Sequence, residues 1–238
     1  MPTLTNFCNE LFHEDHGIKA TNAVVIQDHD PTSVDMETYF QQNNFSLTYL
    51  AGDVFDDLDL ERAVLHRAES CVVLTNKNCQ NALEEDYQNI LIALALKKFV
   101  YKMNQHLKDE DKYNLKLCIQ LIKPESKTLY YKSLNLDPAN DQLIIVEQIK
   151  MNLLAKSCFA PGLISCMSNL FASAGAVDID SFSKEWLKEY ANGMGHEIYR
   201  VQIQENEFYS PRPLTFKKIA EICYTEYSAV IFALEIEP

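Results

Sequence analysis

Carboxylates gather in this chain at two places where a loop runs into a helix-forming segment. Glu84-Glu85-Asp86 follows the polar stretch Asn76-Lys77-Asn78-Cys79-Gln80-Asn81, and Asp53, Asp56, Asp57 and Asp59 crowd the approach to Leu60. Carboxylate and carbonyl oxygens in a flexible loop are the ligands that a hard cation such as calcium takes. At the first turn of a helix the same side chains cap free N–H groups and complement the helix dipole with no ligand present. Both readings stand at this level. Neither stretch has the central Gly and terminal Glu of an EF-hand.

Other chemistry has less to build on. Asp28 and Asp30 lie just past an apolar segment, where a dinucleotide-binding fold sets an acidic residue on ribose hydroxyls. Gly193-Met194-Gly195 is no G-x-G-x-x-G turn, because it follows a helical pattern and precedes an extended one. The six His and seven Cys form neither a C-x-x-C nor an H-x-x-x-H pair, so a structural zinc site has no framework. A G-x-S-x-G elbow and a phosphate-binding loop are also missing. The motifs therefore give no support to an enzyme, and no NAD is expected. A nicotinamide-binding domain remains the alternative, on fold analogy and Asp28 or Asp30 alone.

The 238 residues, 47% hydrophobic and 23% charged, suffice to bury a core, which excludes a disordered tail. Twenty-one Lys and Arg against 34 Asp and Glu leave a net charge of −13. No basic cluster is present to neutralise a row of phosphates, which excludes nucleic acid as a partner. Seven Cys, an odd number at wide spacing, read as free thiols of a reducing compartment. The apolar-leaning stretches 89–100 and 142–154 are interrupted by polar residues well short of the roughly 20 that a membrane span needs. The start, Met1-Pro2-Thr3-Leu4-Thr5, lacks a basic region before an apolar one, so no signal peptide is expected. The chain reads as soluble.

The elements that must position the carboxylates follow from periodicity. Leu4, Phe7, Cys8, Leu11 and Phe12 predict an opening amphipathic helix that ends near Gly17. Short apolar strands are expected at Ala23–Ile26, Leu47–Leu50, Cys71–Leu74, Leu115–Leu121 and Leu143–Val146. Helices alternate with them at Val34–Phe40, Leu58–Leu65, Leu83–Val100 and Glu125–Ser133, the long one with Leu83, Tyr87, Ile90, Leu91 and Leu94 inward. This alternation gives an α/β fold with a doubly wound, Rossmann-like parallel sheet over residues 1–146.

The first strand of such a sheet normally precedes the first helix, and this chain opens at the helix. Two unpaired edges beside an unfilled position are expected, as in an N-terminally truncated fragment. Residues 147–174 read as a helix-turn-helix crossover, bent at Ala160-Pro161-Gly162. Residues 175–238 read as a small α+β subdomain, with helices at Ser183–Tyr190 and Phe216–Tyr227 and strands at Glu197–Ile203 and Ala229–Leu234.

Several segments, in order, resemble one known family. Leu11-Phe12-His13-Glu14-Asp15, Leu74-Thr75-Asn76-Lys77-Asn78-Cys79, Ile119-Gln120-Leu121, Lys150 to Gly162 and Met167-Ser168-Asn169-Leu170-Phe171 carry the resemblance. It continues through Gly195-His196-Glu197-Ile198-Tyr199 to Ile222-Cys223-Tyr224, and Ser157-Cys158-Phe159-Ala160-Pro161-Gly162 is its most specific piece. They resemble the first RCK (regulator of potassium conductance) domain of Slo-family, calcium-activated big-conductance potassium channels. Ile119 to Lys127 is closer to the sodium-activated branch.

The resemblance implies a regulatory module at the cytoplasmic face of the plasma membrane. In that family two RCK domains per subunit assemble into a tetrameric gating ring beneath a transmembrane pore domain, and calcium opens the gate. It makes Ile149, Leu153, Pro161, Gly162, Met167, Leu170 and Phe171 an interface with a neighbouring RCK domain, where periodicity alone reads the apolar ones as core. It also implies Asp86 and Glu197 as calcium ligands, with Asn81 and Ala174 standing where the family has an Asp and a carbonyl-lending Arg. An amide in place of a carboxylate weakens such a site. A carboxylate from each subdomain would let a cation tie the two together. A domain that has lost its ligand and serves assembly only is the further alternative.

Overall fold

In the computed structural model, the alternation resolves into a series of parallel β-α units. The structure describes residues 2–13, 22–30, 34–42, 46–76, 78–108, 111–133, 141–173, 182–194, 196, 198–199, 201 and 215–234. The elements run α1 (Pro2–Leu11), β1 (Ala23–Gln27), α2 (Val34–Gln42), β2 (Leu47–Ala51), α3 (Asp57–Arg62), β3 (Ser70–Val73) and α4 (Ala82–Asn104). They continue with β4 (Lys116–Leu121), α5 (Pro124–Ser133), β5 (Asp141–Ile145), α6 (Val146–Ser157), α7 (Leu163–Phe171), α8 (Glu185–Met194) and α9 (Phe216–Tyr227). Two compact units contain them, Met1–His196 and Glu197–Pro238.

The strands pair in parallel, in two groups. β1 pairs with β2, Ala23 opposite Leu47. β4 lies between β3 and β5, with Ser70 opposite Lys116 and Leu117 opposite Asp141. Among the described residues β1 pairs with β2 alone and β3 with β4 alone. Ile26 of β1 nonetheless packs on the core shared by β3, β4 and α4.

That core explains why β4 reads as an apolar run. Leu117, Ile119 and Leu121 are buried on one face, and Cys118 and Gln120 are half-buried on the other, the pattern of a strand covered on both sides. Ile90, Ala93, Leu96, Phe99 and Val100 of α4 complete the cluster with Leu60 and Tyr130. Cys8, Phe40 and Leu47 centre a second cluster under α1, α2 and β2.

The structure corrects the face of α4. Of the five side chains expected inward only Ile90 is buried, while Leu83, Tyr87 and Leu91 are 41%, 49% and 51% exposed. Apolar residues populate both sides of this helix, so spacing alone selects two stripes equally well. The buried stripe is the one that carries Asp86 and Asn89, whose polar groups find partners on β4 and the turn after it.

Three further expectations change. The helix expected over Leu58–Leu65 stops at Arg62, with Val64 left-handed at φ 55° before a single 3₁₀ turn at Leu65–Arg67. The strand expected over Ala229–Leu234 has no ladder partner among the described residues, and Val230 and Phe232 are exposed. For Glu197–Ile203, the described Ile198, Tyr199 and Val201 carry no strand, and the others lie outside the described residues.

Candidate functional site

Because the strands are parallel, the carboxyl ends of β3, β4 and β5 share one edge, where ligands of open α/β sheets bind. The loop from β3 to α4 runs along it. Side chains of β4 and α4 hold its backbone: Gln120 Oε1 accepts from Thr75 N at 3.2 Å, and Glu85 Oε1 accepts from Asn76 N at 2.7 Å. The Asn81 side chain caps α4, accepting from Leu83 N and Glu84 N at 3.1 and 3.5 Å. An amide oxygen serves this N-cap as well as a carboxylate would.

Asp86 has the most defined surroundings of the group. Its side chain is fully buried, and its oxygens accept from Ile122 N at 2.7 Å, Lys123 N at 2.9 Å and Ser126 Oγ at 2.6 Å. These donors belong to the turn that starts α5, whose N-cap position is occupied by Lys123, a side chain with no acceptor. Asp86 takes, from a different helix, the place that an N3 carboxylate has in a capping box, accepting from the N-cap N–H of Lys123. Its oxygens therefore face N–H and O–H donors, whose positive ends oppose a cation.

The same turn reaches α6. Lys123 Nζ lies 2.8 Å from Glu147 Oε1, and Glu147 N donates to Ile122 O at 3.2 Å. The hydrogen bond and charge of Glu147 raise the pKa of Lys123.

Glu197 lies outside the described residues, as does Ala174. Among the described residues, no three His, Cys, Asp or Glu side chains converge as a metal set. The second acidic run is a capping device: Asp56 caps α3, Asp53 Oδ1 accepts from Phe55 N, and Asp59 accepts from Asp53 N while pairing with Arg62. Of the two residues set against ribose, Asp28 hydrogen-bonds its neighbour His29 at 2.6 Å, and Asp30 is exposed on the loop after β1.

The crossover presents a different surface. No residue of α6 or α7 is buried within the unit. Ile149 and Phe171 are exposed, Phe159 is 90% exposed, Leu153, Met167 and Leu170 are half-buried, and Pro161 and Gly162 stand at the exposed bend. Gly162 takes φ +86°, which starts α7 in a new direction.

One cluster is invisible to sequence reading. Tyr130 Oη donates to Asp141 Oδ2 at 3.0 Å, and Lys97 pairs with Asp141 Oδ1 and donates to Leu115 O, all at the opposite, amino edge of the strands. Burial, then the Asp141 carboxylate, pushes the Tyr130 hydroxyl pKa up. Starting the strand at Leu143 leaves Asp141 in a loop, and only its opening position in β5 gives its burial away.

Comparison with known proteins places these features. A family model described as the calcium-activated potassium channel slowpoke-like RCK domain matches residues 1–147, and one described as the calcium-activated BK potassium channel alpha subunit matches residues 141–234. The calcium-activated potassium channel slowpoke of Drosophila melanogaster is 25% identical over 99% of this chain and 18% of its own length. Potassium channel subfamily U member 1 of Rattus norvegicus is 24% identical over 99% of this chain and 20% of its own length. The chain thus spans about a fifth of these relatives. The structure of the human SLO3 gating ring superposes with a TM-score of 0.61 at 21% identity, over 84% of this chain and 33% of that one, which shows a shared fold.

Proposed function

This chain belongs to the slowpoke-like RCK domain family of calcium-activated potassium channels, and from that premise we propose that it is a cytosolic, non-enzymatic gating-ring module. It couples cation binding to the opening of a potassium pore, as one part of a channel subunit. No described helix is long and apolar enough to cross a membrane.

The observation that carries the reading is the crossover. Two helices whose apolar side chains are at most half-buried in their own unit leave surface for a partner, and the helix pair of a second RCK domain is the matching one. Residues 1–146 form the Rossmann-like part, 147–174 the crossover that docks on a neighbour, and 175–238 the C-terminal subdomain. That contact pairs two RCK domains, and flanking surfaces join the pairs of four subunits into a tetrameric ring.

Calcium is the cation that the relatives' names supply, and Asp86 with Glu197 are the candidate ligands. For Asp86 this requires exchanging three donors for the ion. That requirement favours a second reading, an assembly domain in which Asp86 is structural.

The test replaces the equivalent segment of the slowpoke channel with this chain and measures tetramer formation and open probability against calcium. The gating-module reading expects tetramers whose opening rises with calcium. Tetramers that open independently of calcium support the assembly reading, and failure to assemble overturns both. Loss of the response on Glu197→Gln would assign the ligand.

A further inference from the structure

The Asp86 carboxylate and the Lys123–Glu147 ion pair meet at one turn, and their sequence of contacts joins α4 to α6. Asp86 stands on α4, one turn beyond the loop at the ligand edge. It holds the backbone of Ile122 and Lys123 and the hydroxyl of Ser126. Lys123 holds Glu147, in the first turn of α6, through its side chain, and Ile122 holds the amide of the same Glu147 through its carbonyl.

We propose that Asp86, Ile122, Lys123 and Glu147 form a strap that fixes the base of the crossover helix α6 to the amino end of α4, so that a displacement of α4 at the ligand edge moves α6. Its regulatory meaning rests on the gating-module reading, whereas the strap itself does not.

Three physical points support it. The anchor is stiff, because a fully buried carboxylate with three charge-assisted hydrogen bonds has no solvent to exchange them with. The ion pair is part-exposed, its side chains 35% and 38% accessible, and such pairs are commonly weak because two long side chains must be ordered. Here the backbone on both sides is already held, by Asp86 at Lys123 and by Ile122 at Glu147, which lowers that entropic cost. Finally, α6 has no side-chain cap of its own, since its N-cap position is Ile145. Its first turn therefore depends on this contact for its order.

Amide hydrogen exchange on the 238-residue chain tests the strap, comparing the parent with Asp86→Asn, Lys123→Met and Glu147→Gln. With Asp86→Asn, several-fold faster exchange is expected both in peptides covering 122–126 and in those covering 146–150. With Lys123→Met or Glu147→Gln, faster exchange is expected at 146–150 only, and Lys123→Arg restores the parent rate. The strap is overturned if Asp86→Asn loosens 122–126 and leaves 146–150 unchanged, or if both ion-pair variants exchange like the parent. Should Asp86→Asn not fold, the two exposed-side variants decide alone. A channel that ignores calcium would defeat the gating reading without touching these rates.

Discussion

The hydroxyl of Ser126 donates a 2.6 Å hydrogen bond to Oδ2 of Asp86, a residue forty positions earlier and on another helix. Ser126 is the third residue of α5, where a helix commonly bonds back to its own cap. Here the reciprocal group comes from α4, so capping one helix also docks the other.

Asp86→Asn should therefore cost more than the loss of a surface cap. The amide keeps one acceptor and turns a donor toward N–H groups, leaving buried donors unsatisfied, which amounts to about 2–4 kcal/mol. Ser126→Ala removes one bond and should cost about 1 kcal/mol. Urea unfolding midpoints decide, and an Asp86→Asn variant as stable as the parent would show that the carboxylate is not the cap described.

At the other end of the strands, Lys97, Asp141 and Tyr130 are interdependent. Lys97→Met leaves a buried carboxylate with only the Tyr130 hydroxyl, at a cost of roughly 3–5 kcal/mol. Replacing both charges, Lys97→Met with Asp141→Leu, should recover most of that loss. Unfolding free energies of the two single variants and the pair close a double-mutant cycle, and additivity would refute the coupling.

How much of this was legible in the sequence depends on which physical signal each feature leaves. The β-α alternation and the bend at Pro161-Gly162 are local and periodic, and they stand where expected within a few residues. Buried polar residues leave no periodic signal. Asp86 and Asn89 decided which stripe of α4 faces inward, and a hydrophobic count cannot see them. The carboxylates were legible as a group, but spacing does not say whether an oxygen faces solvent or an N–H. Asn81 and Asp56 proved to be caps, and Asp53 holds a turn in the loop before α3. The strand expected at Ala229–Leu234 has no ladder partner among the described residues, and a run of apolar residues does not by itself name one.

The thiols should separate cleanly by reactivity. Cys158 and Cys166 are exposed, whereas burial raises the pKa of Cys8 and Cys118 and pushes that of Cys71 to about 11. A thiol reagent at neutral pH should label Cys158 and Cys166 first and the half-buried Cys71 far more slowly, as read by peptide mass spectrometry. The linkage has a definite sign. The folded-state pKa of Cys71 is raised, so its contribution is complete below the unfolded value near 8.5 and is lost as pH rises toward about 11. Stability of Cys71→Ala should vary less over that window, and an unchanged profile would contradict the burial.

Gly52 and Asp59 make the corresponding prediction on the acid side. A Cβ at Gly52 would stand 2.8 Å from the Asp59 carboxylate, which accepts from Asp53 N at 2.9 Å. That hydrogen bond, then the one from Arg62, lowers the pKa of Asp59. Its contribution is therefore present above the unfolded value near 3.9 and disappears as pH falls through the lower folded value. Gly52→Ala should displace the carboxylate and raise its pKa. NMR titration of Asp59 in the two proteins reads this directly, and coincident curves would rule out the close approach.

Gly162 isolates conformation from packing. Its φ of +86° favours glycine, yet a Cβ there meets nothing within 4 Å, so any cost of Gly162→Ala is that of the backbone alone. Left-handed backbone costs an L-residue about 1–2 kcal/mol, and Asn, which tolerates it better, should cost less. Thermal unfolding should thus order Gly above Asn above Ala. The same series bears on docking, because relief of the strain by a change of turn would swing α7 away from α6 and move Met167 and Leu170 off their places. If Ala matches Gly in stability while assembly in the slowpoke chimera fails, the turn has rearranged. If both are retained, the left-handed bend is not required at this position.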